Sequence, residues 1–452
     1  MDNKNDVIVA IATPYGKSGV GIVRLSGTGV LALCQRIFRP FSKACNYEPN
    51  KMFLGEIDLG GMKDKGFMVY FACPHSFTGE DVVEFQCHGG VLILEKIINK
   101  CLSLGARMAE AGEFSKRAFL NGKISLDEAE GIADLINAES ESELRCSYSL
   151  ARGELKNKVG EIQQNVLDTL CELQVNLDYP EEKIEVATRK ELKKKFQDIC
   201  KSIDGLLSTT KQGHMCKFGV DVAIVGKTNA GKSSLLNKLL GTEQAIVTDI
   251  EGTTRDVVSG VMEYNGVKFN LLDTAGLRET TDIIENIGID KTKQTIEQSD
   301  VVLLVIDRSR KTDKQDDENF TLTAGKNRII VLNKSDKNDE TSLAKKVAGE
   351  KVISISAKSG ENVDKLKDLL FDTAFDGKFI NDSLIITNAR HAQVLSEASI
   401  SAHSLLEKTE TEFLDCLSLD CQYLWEKLGE ITGVCANDEI IKTIFSKFCL
   451  GK

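Results

Sequence analysis

The sequence predicts a multidomain protein: an α+β N-terminal domain, a discontinuous all-α helical domain, and an α/β domain inserted in the helical one. Short apolar runs separated by glycines fill residues 1–118. Helix-forming stretches with few breakers occupy 119–217 and 379–452, whereas β-branched runs alternate with helix-like segments over 218–378. With 452 residues, and roughly 150 residues per domain, about three domains are expected.

Composition excludes several classes of protein. Apolar residues make up 42% of the chain and charged residues 28%, which argues against wholesale disorder. The formal charge of −11 predicts weak stand-alone binding of nucleic acid, because phosphate neutralisation supplies most non-specific affinity. No signal-peptide pattern opens the chain, and no apolar stretch reaches the length of a membrane span. We therefore expect a cytoplasmic protein that does not cross a membrane.

The cysteine pattern indicates thiols rather than disulfides or zinc. Thirteen cysteines fall far below the density of a disulfide scaffold, and no C-x-x-C pair occurs. The closest pair, Cys416 and Cys421, is too isolated to predict a zinc site. We therefore expect reduced cysteines, as in cytosolic proteins.

The N-terminal domain, 1–118, is predicted from short β-like runs. Two apolar runs, at 6–12 and 66–72, lie between glycine-containing turns. His88-Gly-Gly is predicted to form another turn, and no role is assigned to it. These features favour a mixed α+β domain.

Two stretches of helix, 119–217 and 379–452, carry apolar stripes that need partners. Both stripes repeat at helical spacing: Val166, Leu170, Leu173 and Leu177 in the first, and Leu414, Leu417, Cys421, Leu424, Leu428 and Ile431 in the second. Pro180 is expected to end the first helix. The stripes predict that the two stretches pack together as one discontinuous domain, since domain termini usually lie close together. The alternative is two separate helical units.

The inserted domain, 218–378, shows the rhythm of a parallel sheet. Short aliphatic runs recur along it, at 222–225, 269–272, 301–306 and 329–332. Polar, helix-like segments separate these runs, as in βαβ units whose helices cover both faces of a sheet.

A phosphate-binding motif follows the first of these runs. Residues 226–233 fit G-x-x-x-x-G-K-[ST] between a predicted strand and a predicted helix. Backbone N–H groups of such a loop surround phosphates, Lys232 is placed to reach the β- and γ-phosphates, and the Ser233 hydroxyl is a ligand for Mg²⁺. The nucleotide-contacting residues predicted here are Asn229, Ala230, Gly231, Lys232, Ser233 and Ser234.

Three further motifs follow in order. They are Asp273-Thr274-Ala275-Gly276, Asn333-Lys334-Ser335-Asp336 and Ser356-Ala357-Lys358. The Asp336 carboxylate can accept both N–H donors on the Watson–Crick edge of guanine, which adenine does not offer. The third motif is expected to back the base, and Thr254, beside Thr253, supplies a switch threonine for Mg²⁺. Together these motifs predict a GTP-binding domain of the Ras-like P-loop type.

The sequence lacks the glutamine that usually orients water for GTP hydrolysis. Leu277 stands directly after the D-x-x-G motif, where many small GTPases have the glutamine that orients the attacking water. Leucine cannot hydrogen-bond water. Hydrolysis therefore needs another water-orienting group and another source of positive charge.

The chain resembles the MnmE (TrmE) tRNA-modification GTPases along nearly its whole length. The resemblance rests on Asn229 in the phosphate loop and on segments 12–14, 19–24, 77–84, 112–121, 248–256, 273–278 and 448–452. The GTPase motifs are shared by many families, whereas the N-terminal segments and the terminal C-x-G-K are specific to this one. Leu450 is a conservative departure from the usual isoleucine.

The resemblance implies an answer to the problem of Leu277. GTPases of this family are activated by K⁺ when two G domains dimerise, and the ion takes the place of an arginine finger. The implied K⁺ ligands are Asn229, Thr248, Ile250 and Thr253, and the implied general base, acting through water, is Glu285. The resemblance also implies nucleotide contacts throughout the loop Thr248, Asp249, Ile250, Glu251, Gly252, Thr253 and Thr254.

The resemblance further implies a folate site and a dimer in the N-terminal domain. The bound molecule would be a tetrahydrofolate one-carbon donor, in the 5-formyl or methylene form. Positions that match the family's site are Arg24, Glu84, Lys123 and the terminal Lys452. Cations suit the carboxylates of folate, and a carboxylate suits the pterin N–H edge. Cys449 is a candidate catalytic residue whose role is left open.

The function implied is modification of the wobble uridine of certain tRNAs at C5. An FAD-containing partner of the MnmG/GidA type would join the homodimer in a heterotetramer and bind most of the tRNA. Two alternatives remain open: a GTP-gated switch in assembly, for example ribosome maturation, and a folate enzyme that GTP only regulates.

Overall fold

The fold is taken from a computed structural model. It describes residues 6–42, 46–178, 189–241, 259–273, 285–340, 347, 349–379, 384–436, 438–449 and 451, with the backbone alone at 285–291. The chain forms two compact units. One comprises Met1–Ile136, Ser149–Cys200 and Glu397–Lys452, and the other Asn137–Tyr148 and Lys201–Ser396. The predicted boundaries after residues 118, 217 and 378 stay predictions.

The N-terminal domain is built on a seven-stranded sheet. Its strands are β1 (Ile8–Ile11), β2 (Ser18–Ser26), β3 (Phe38–Pro40), β4 (Met52–Asp58), β5 (Lys63–Phe71), β6 (Val82–Gly89) and β7 (Arg107–Met108), and its helices α1 (Val30–Cys34), α2 (Val91–Ser103) and α3 (Glu113–Leu120). The strand order is β3-β4-β5-β6-β2-β1-β7. The β1–β7 pair is parallel and the other pairs are antiparallel. This confirms the predicted α+β class.

Along β2 and β6, successive side chains lie on opposite faces of the sheet. Core residues therefore occupy one face and the predicted site residues the other. Val23 and Phe85 are fully buried in the cluster that also contains Ile97 of α2. Arg24 and Glu84, the next residues along their strands, stand directly opposite each other and are half-buried on the other face. The pairing register therefore brings together two residues that are 60 positions apart in the chain.

His88-Gly-Gly does not form the predicted turn. His88 and Gly89 are the last two residues of β6, and Gly90 is the N-cap of α2. A Cβ on Gly89 would lie 2.0 Å from the Ser18 hydroxyl of the neighbouring strand, so this glycine allows close strand pairing. The prediction was wrong because glycine permits a turn without requiring one.

The helical domain is discontinuous, as predicted. The helices of the two predicted stretches are α4 (Leu126–Asn137), α5 (Glu141–Ala151), α6 (Glu154–Asp178), α7 (Arg189–Leu207) and α8 (Thr210–Phe218), followed after the insertion by α13 (Ala389–Lys408), α14 (Leu414–Thr432) and α15 (Asp438–Phe445). Of these, α8 and most of α5 belong to the compact unit that contains the inserted domain. The predicted stripes meet where α6 packs along α14. Leu424 and Leu428 of α14 and Val166 of α6 are fully buried, and the Gln163 side chain donates to the Trp425 carbonyl at 3.0 Å.

The inserted domain is a six-stranded sheet with helices. Its elements are β8 (Val220–Val225), α9 (Lys232–Leu240), β9 (Gly260–Tyr264), β10 (Val267–Asp273), α10 (Glu285–Gln298), β11 (Val301–Asp307), α11 (Lys314–Leu322), β12 (Arg328–Asn333), β13 (Lys351–Ser354) and α12 (Val363–Ala374). The strand order is β13-β12-β11-β8-β10-β9, all parallel except the β9 edge. The four predicted runs are β8, β10, β11 and β12.

Parallel pairing places the ends of these strands at one edge of the sheet. β8 leads into residues 226–231, β10 ends at Asp273 and β12 ends at Asn333. Ligands of open α/β sheets bind at this carboxyl edge. The sheet thus gathers the phosphate loop, Asp273 and Asn333 at one edge.

Across the described ranges, every helix is too short or too polar to span a lipid bilayer.

Candidate functional site

Two glycines shape the phosphate loop. Gly226 has φ of +156°, and a Cβ there would lie 2.3 Å from the Val305 carbonyl oxygen. Gly231 has φ of +95°, and a Cβ there would lie 2.2 Å from the side-chain amide of Asn333. Any larger residue at either position would collide with β11 or with Asn333, the first residue of the guanine motif (residues 333–336). The glycines therefore let the loop pack against the strands that carry the other motifs.

Helix α9 begins at Lys232, with Gly231 as its N-cap. The backbone N–H groups of a first helical turn have no partner within the helix and form an anion site. Lys232 is buried, with 6% exposure, and its ammonium donates to the carbonyls of Gly226 at 2.8 Å and Lys227 at 3.1 Å. Ser233 and Ser234 are exposed at the same helix start. This arrangement fits phosphates and a Mg²⁺ ion held by the Ser233 hydroxyl.

Asn333 joins three segments of the site. Its side-chain N–H donates to the Ala230 carbonyl of the phosphate loop at 2.8 Å. Its side-chain oxygen accepts from the backbone N–H of Lys334 at 2.8 Å and of Ala357 at 3.0 Å. The amide is buried, with 2% exposure, so all of these bonds form away from water. Asn333 is therefore a positioning residue for the phosphate loop and the guanine motifs.

Lys334 adds a charged link beneath the site. It has φ of +68°, and its ammonium donates to the Asn229 carbonyl at 3.1 Å and to the Asp307 carboxylate at 2.5 Å. Burial alone would raise the pKa of Asp307, but the hydrogen bonds from Lys334 and Ser309 lower it below its usual value. Asp307 is thus ionised at neutral pH and holds Lys334 against the phosphate loop.

Asp336 is presented as an exposed carboxylate. One oxygen accepts a hydrogen bond from the Ser356 hydroxyl at 2.7 Å, and this bond lowers the pKa of Asp336. Ser356 is itself fully buried, so it orients the carboxylate from below. A carboxylate accepts more than one bond per oxygen, so the guanine N–H donors can still be bound. Ala357 and Lys358 follow directly in the loop that would back the base.

Part of the predicted nucleotide site lies outside the described residues. Asp273 ends β10, and its backbone N–H donates to the Ser259 hydroxyl at 3.1 Å. Glu285 begins α10, but its side chain is not described. The remaining predicted residues outside the described ranges are Thr248, Asp249, Ile250, Glu251, Gly252, Thr253, Thr254, Thr274, Ala275 and Gly276.

A second constellation lies in the N-terminal domain. The Arg24 guanidinium pairs with the Glu84 carboxylate at 2.7 Å and donates to the Gly451 carbonyl at 3.3 Å. Its carbon lies 5.9 Å from the centre of the Phe114 ring. The sequence predicted Arg24 and Glu84 for one site, and the structure joins them to the C-terminal motif.

Close backbone contacts hold the C-terminal motif in place. Gly451 has φ of +93°, and a Cβ there would lie 2.1 Å from the Ile11 carbonyl oxygen. The Cys449 carbonyl accepts a bond from the Gly112 N–H at 3.4 Å, and the Cys449 side chain is exposed. Lys452 lies outside the described residues. The tail thus packs on β1 and on the start of α3.

Lys123 contacts a different segment from the one that Arg24 and Glu84 contact. Its ammonium donates to the Pro74 carbonyl at 3.0 Å, and its side chain packs beside Gly79. The segment 73–80 therefore contacts Lys123, whereas the C-terminal motif contacts Arg24. Among the described residues, no hydrogen bond or ion pair joins Lys123 directly to Arg24 or Glu84.

Sequence reasoning missed Asp307 and Ser309. Asp307 is the last residue of β11 and accepts from both the backbone N–H and the hydroxyl of Ser309. A signal was available, since an acidic residue ending a predicted parallel strand stands at the ligand-binding edge. No motif pointed to Ser309.

The fold and this site define the class of the protein: it is a P-loop guanine-nucleotide hydrolase with a separate N-terminal domain. Residues 126–449 match the family described as MnmE helical domain, and residues 7–123 match the GTP-binding protein TrmE N-terminus. The chain is similar to the tRNA modification GTPase MnmE of Streptococcus thermophilus (strain CNRZ 1066), with 40% identity covering 99% of this chain and 98% of that one. It is also similar to the MnmE of Clostridioides difficile (strain 630), with 39% identity covering 99% of each.

The chain therefore belongs to the MnmE family of tRNA modification GTPases, and it is a GTP hydrolase. Two solved structures align with parts of it. Aquifex aeolicus Era bound to GDP and aluminium fluoride is 32% identical over 41% of this chain and 66% of that one, with a TM-score of 0.29. The G domain of the T. maritima FeoB iron transporter is 28% identical over 34% of this chain and 98% of that one, with a TM-score of 0.27.

Proposed function

We propose that the chain is a K⁺-dependent GTPase that modifies the wobble uridine of certain tRNAs. It works with an FAD-containing partner of the MnmG/GidA type and adds an aminomethyl or carboxymethylaminomethyl group at uridine C5. The one-carbon unit comes from a tetrahydrofolate derivative, in the 5-formyl or methylene form. The observation that carries this proposal is the contact of the C-terminal motif with the Arg24–Glu84 pair.

That contact supports a folate site on chemical grounds. A guanidinium binds carboxylates with two parallel hydrogen bonds, and folates carry carboxylates on their glutamate tail. Glu84 offers an acceptor for the N–H edge of a pterin. Cys449 lies two residues before Gly451 with an exposed thiol, and the proposal adds the Lys452 ammonium as a further cation of the site. One site would thus hold a cation, an anion and a nucleophile.

The phosphate loop supports the role of K⁺. Asn229 is exposed and has φ of +67°, while Lys334 holds its backbone carbonyl. A fixed backbone leaves the side-chain oxygen of Asn229 as a hard ligand at the rim of the site, and oxygen ligands suit K⁺ as they suit other hard cations. With Thr248, Ile250 and Thr253 this residue would hold K⁺ where charge develops during hydrolysis. Ser233 and Thr254 would hold Mg²⁺.

The assembly is part of the proposal. Two copies form a homodimer and join two copies of the flavoprotein in a heterotetramer in the cytoplasm. The partner supplies most of the tRNA affinity, because this chain carries a net charge of −11.

Replacement of Arg24 tests the proposed tRNA chemistry. Cells that lack this chain would be complemented with wild type, Arg24→Ala or Arg36→Ala, and tRNA nucleosides would be quantified by mass spectrometry. Arg36 is an exposed arginine of the same domain and is the matched control. We expect wild type and Arg36→Ala to restore the C5 modification and Arg24→Ala not to restore it. Normal nucleosides in the deleted strain, with an altered ribosome profile, would favour the assembly switch instead.

Hydrolysis in KCl against NaCl at equal ionic strength tests the ion. We expect strong stimulation by K⁺ in the wild-type chain and its loss in Asn229→Ala. Glu285→Ala should lose hydrolysis while retaining GTP binding, because the proposed base acts on the attacking water. Equal rates in both salts would contradict the proposal and direct the search to an external activating protein.

A further inference from the structure

A small cavity in the unit that contains the inserted domain is lined by two thiols. Its volume is about 30 Å³, and Cys146 of α5 and Cys216 of α8 both lie on its wall, with Arg145, Gly266 and Phe379 among the other lining residues. A water molecule needs roughly 10–15 Å³ of such volume, so the cavity has room for about two waters. Two cysteines that are 70 positions apart in the chain thus line the same small cavity.

Hydrogen bonds of Ser142 fix the two helices beside each other. Its backbone N–H donates to the Gly266 carbonyl in the β9–β10 turn at 2.8 Å, and its hydroxyl donates to the Cys216 carbonyl at 3.3 Å. Cys146 lies four residues after Ser142 and therefore on the same face of α5. The first turn of α5 is thus held against the last turn of α8, and both cysteines line the cavity between them.

The two thiols are not equivalent. Cys216 is buried, with 1% exposure, whereas Cys146 is half-buried. Hydrogen bonding with the Cys216 side chain lowers the pKa of Cys146 in spite of burial and of the nearby Glu143 carboxylate, and the same pairing raises the pKa of Cys216. Cys146 is therefore the sulfur that ionises first, with Cys216 as a protonated neighbour.

We propose that Cys146 and Cys216 form a dithiol site that reacts with hydrogen peroxide and closes to a disulfide. The proposal is independent of the folate and K⁺ chemistry above. In the first step the Cys146 thiolate attacks one peroxide oxygen, the O–O bond breaks, and the other oxygen leaves as hydroxide and takes up a proton to give water. Cys146 becomes a sulfenic acid.

In the second step the Cys216 sulfur attacks the sulfenic sulfur. The S–O bond breaks as the S–S bond forms, and the hydroxyl leaves with the thiol proton as a second water. Two thiols have then lost two electrons and two protons, and one peroxide has been reduced to two waters. No other oxidant or cofactor is needed.

The volume of the cavity matches a small oxidant. Hydrogen peroxide occupies about the space of two waters, which this cavity provides. A peptide disulfide or a bulky organic hydroperoxide is larger than this volume. Cys416 provides a contrast, because it is exposed on α14 but desolvation and the carboxylates of Asp415 and Glu412 raise its pKa. Access alone would favour Cys416, whereas the structure favours Cys146.

The order of reaction of these cysteines tests the proposal in the full-length reduced chain. After brief exposure to substoichiometric hydrogen peroxide, free thiols are alkylated and the peptides are analysed by mass spectrometry. Because the thiolate fraction sets the rate, we expect a Cys146–Cys216 linked peptide to form about tenfold faster than Cys416 is modified, and dithiothreitol to reverse it. Modification of Cys416 at an equal or greater rate would overturn the proposal.

Two variants separate the steps. Cys216→Ser keeps a donor beside Cys146 but removes the second thiol, so a sulfenic acid should accumulate at Cys146 and be labelled by a cyclic 1,3-diketone. Cys146→Ser should leave Cys216 unmodified, and Cys416→Ser should behave as wild type. Absence of the label in folded Cys216→Ser would contradict the assignment of Cys146 as the attacking sulfur. The wild-type time course decides the matter if a variant does not fold.

Discussion

Asn333 and Asp336 lie three residues apart and have different roles: Asn333 positions the backbone, and Asp336 is the expected acceptor for guanine. Asn333 is buried, and within the described part of the chain its side chain bonds to the backbone of Ala230, Lys334 and Ala357. Asp336 is exposed and is oriented by Ser356. The lowered pKa of Asp336 keeps its carboxylate ionised through the neutral range and into mild acid, so the acceptor for guanine is present at physiological pH.

Asp336→Asn is expected to change base specificity. An asparagine side chain offers one acceptor and one donor, so it would face one guanine N–H with its own N–H and lose that bond. We expect the KM for GTP to rise by at least about a hundredfold, and xanthosine triphosphate, which has a carbonyl in place of the guanine amine, to become the better substrate. Steady-state hydrolysis with both nucleotides measures this.

Asp376→Asn is the matched control, because Asp376 is an exposed aspartate of the same inserted domain. It should leave the preference for GTP unchanged. An unchanged preference in Asp336→Asn as well would show that another group reads the base.

Two strands of the inserted sheet, β9 and β13, were absent from the predicted runs. β13 has four residues, none of them buried, so it lacks an aliphatic run. β9 is an antiparallel edge strand with one fully buried side chain, Met262. The sequence offered a signal in the dipeptide Asn265-Gly266, which is typical of a two-residue hairpin turn, and both residues have the positive φ that such a turn requires.

The packing of α6 on α14 predicts that a small side chain at its centre lowers the stability of the protein. Leu424 is fully buried on the predicted stripe of α14, so Leu424→Ala removes apolar contacts and leaves a cavity. We expect it to lower the free energy of unfolding by about 2–5 kcal/mol. Urea denaturation followed by circular dichroism measures the loss.

Leu419→Ala makes the same change on the same helix at a side chain that is 67% exposed. Its effect should stay within about 0.5 kcal/mol. Equal effects of the two changes would mean that the stripe does not form the buried contact between α6 and α14.

The C-terminal motif packs against the N-terminal domain. Arg24 of β2 contacts the carbonyl of Gly451, which is 427 positions away, and Gly112 contacts Cys449. The buried cluster of Leu126, Phe445 and Phe448 supports the same closure. The proposed folate site therefore needs both segments, because neither segment forms it alone.

Gly451→Ala is expected to abolish tRNA modification and leave GTP hydrolysis in KCl intact. An added Cβ would lie 2.1 Å from the Ile11 carbonyl, so the tail must shift away from β1. Gly451 belongs to one compact unit and the phosphate loop to the other. Nucleoside analysis and hydrolysis rates on the same variant measure both effects.

Gly105→Ala is the matched control, since Gly105 has a similar φ of +101° but nothing within 4 Å of its Cβ position. It shares the backbone strain without the collision and should retain modification. Loss of modification in both variants would attribute the effect to strain rather than to the position of the tail.

The sequence by itself determined the three kinds of domain, the strands that carry the GTPase motifs and the pairing of the two helical stripes. Each of these rests on local periodicity or on motif spacing, which the chain displays residue by residue. Only the tertiary structure decided that Asp307 holds Lys334, that the C-terminal motif lies on Arg24, and that Cys146 faces Cys216. Those contacts join residues 27, 427 and 70 positions apart, and the register of strands and the packing of helices set them.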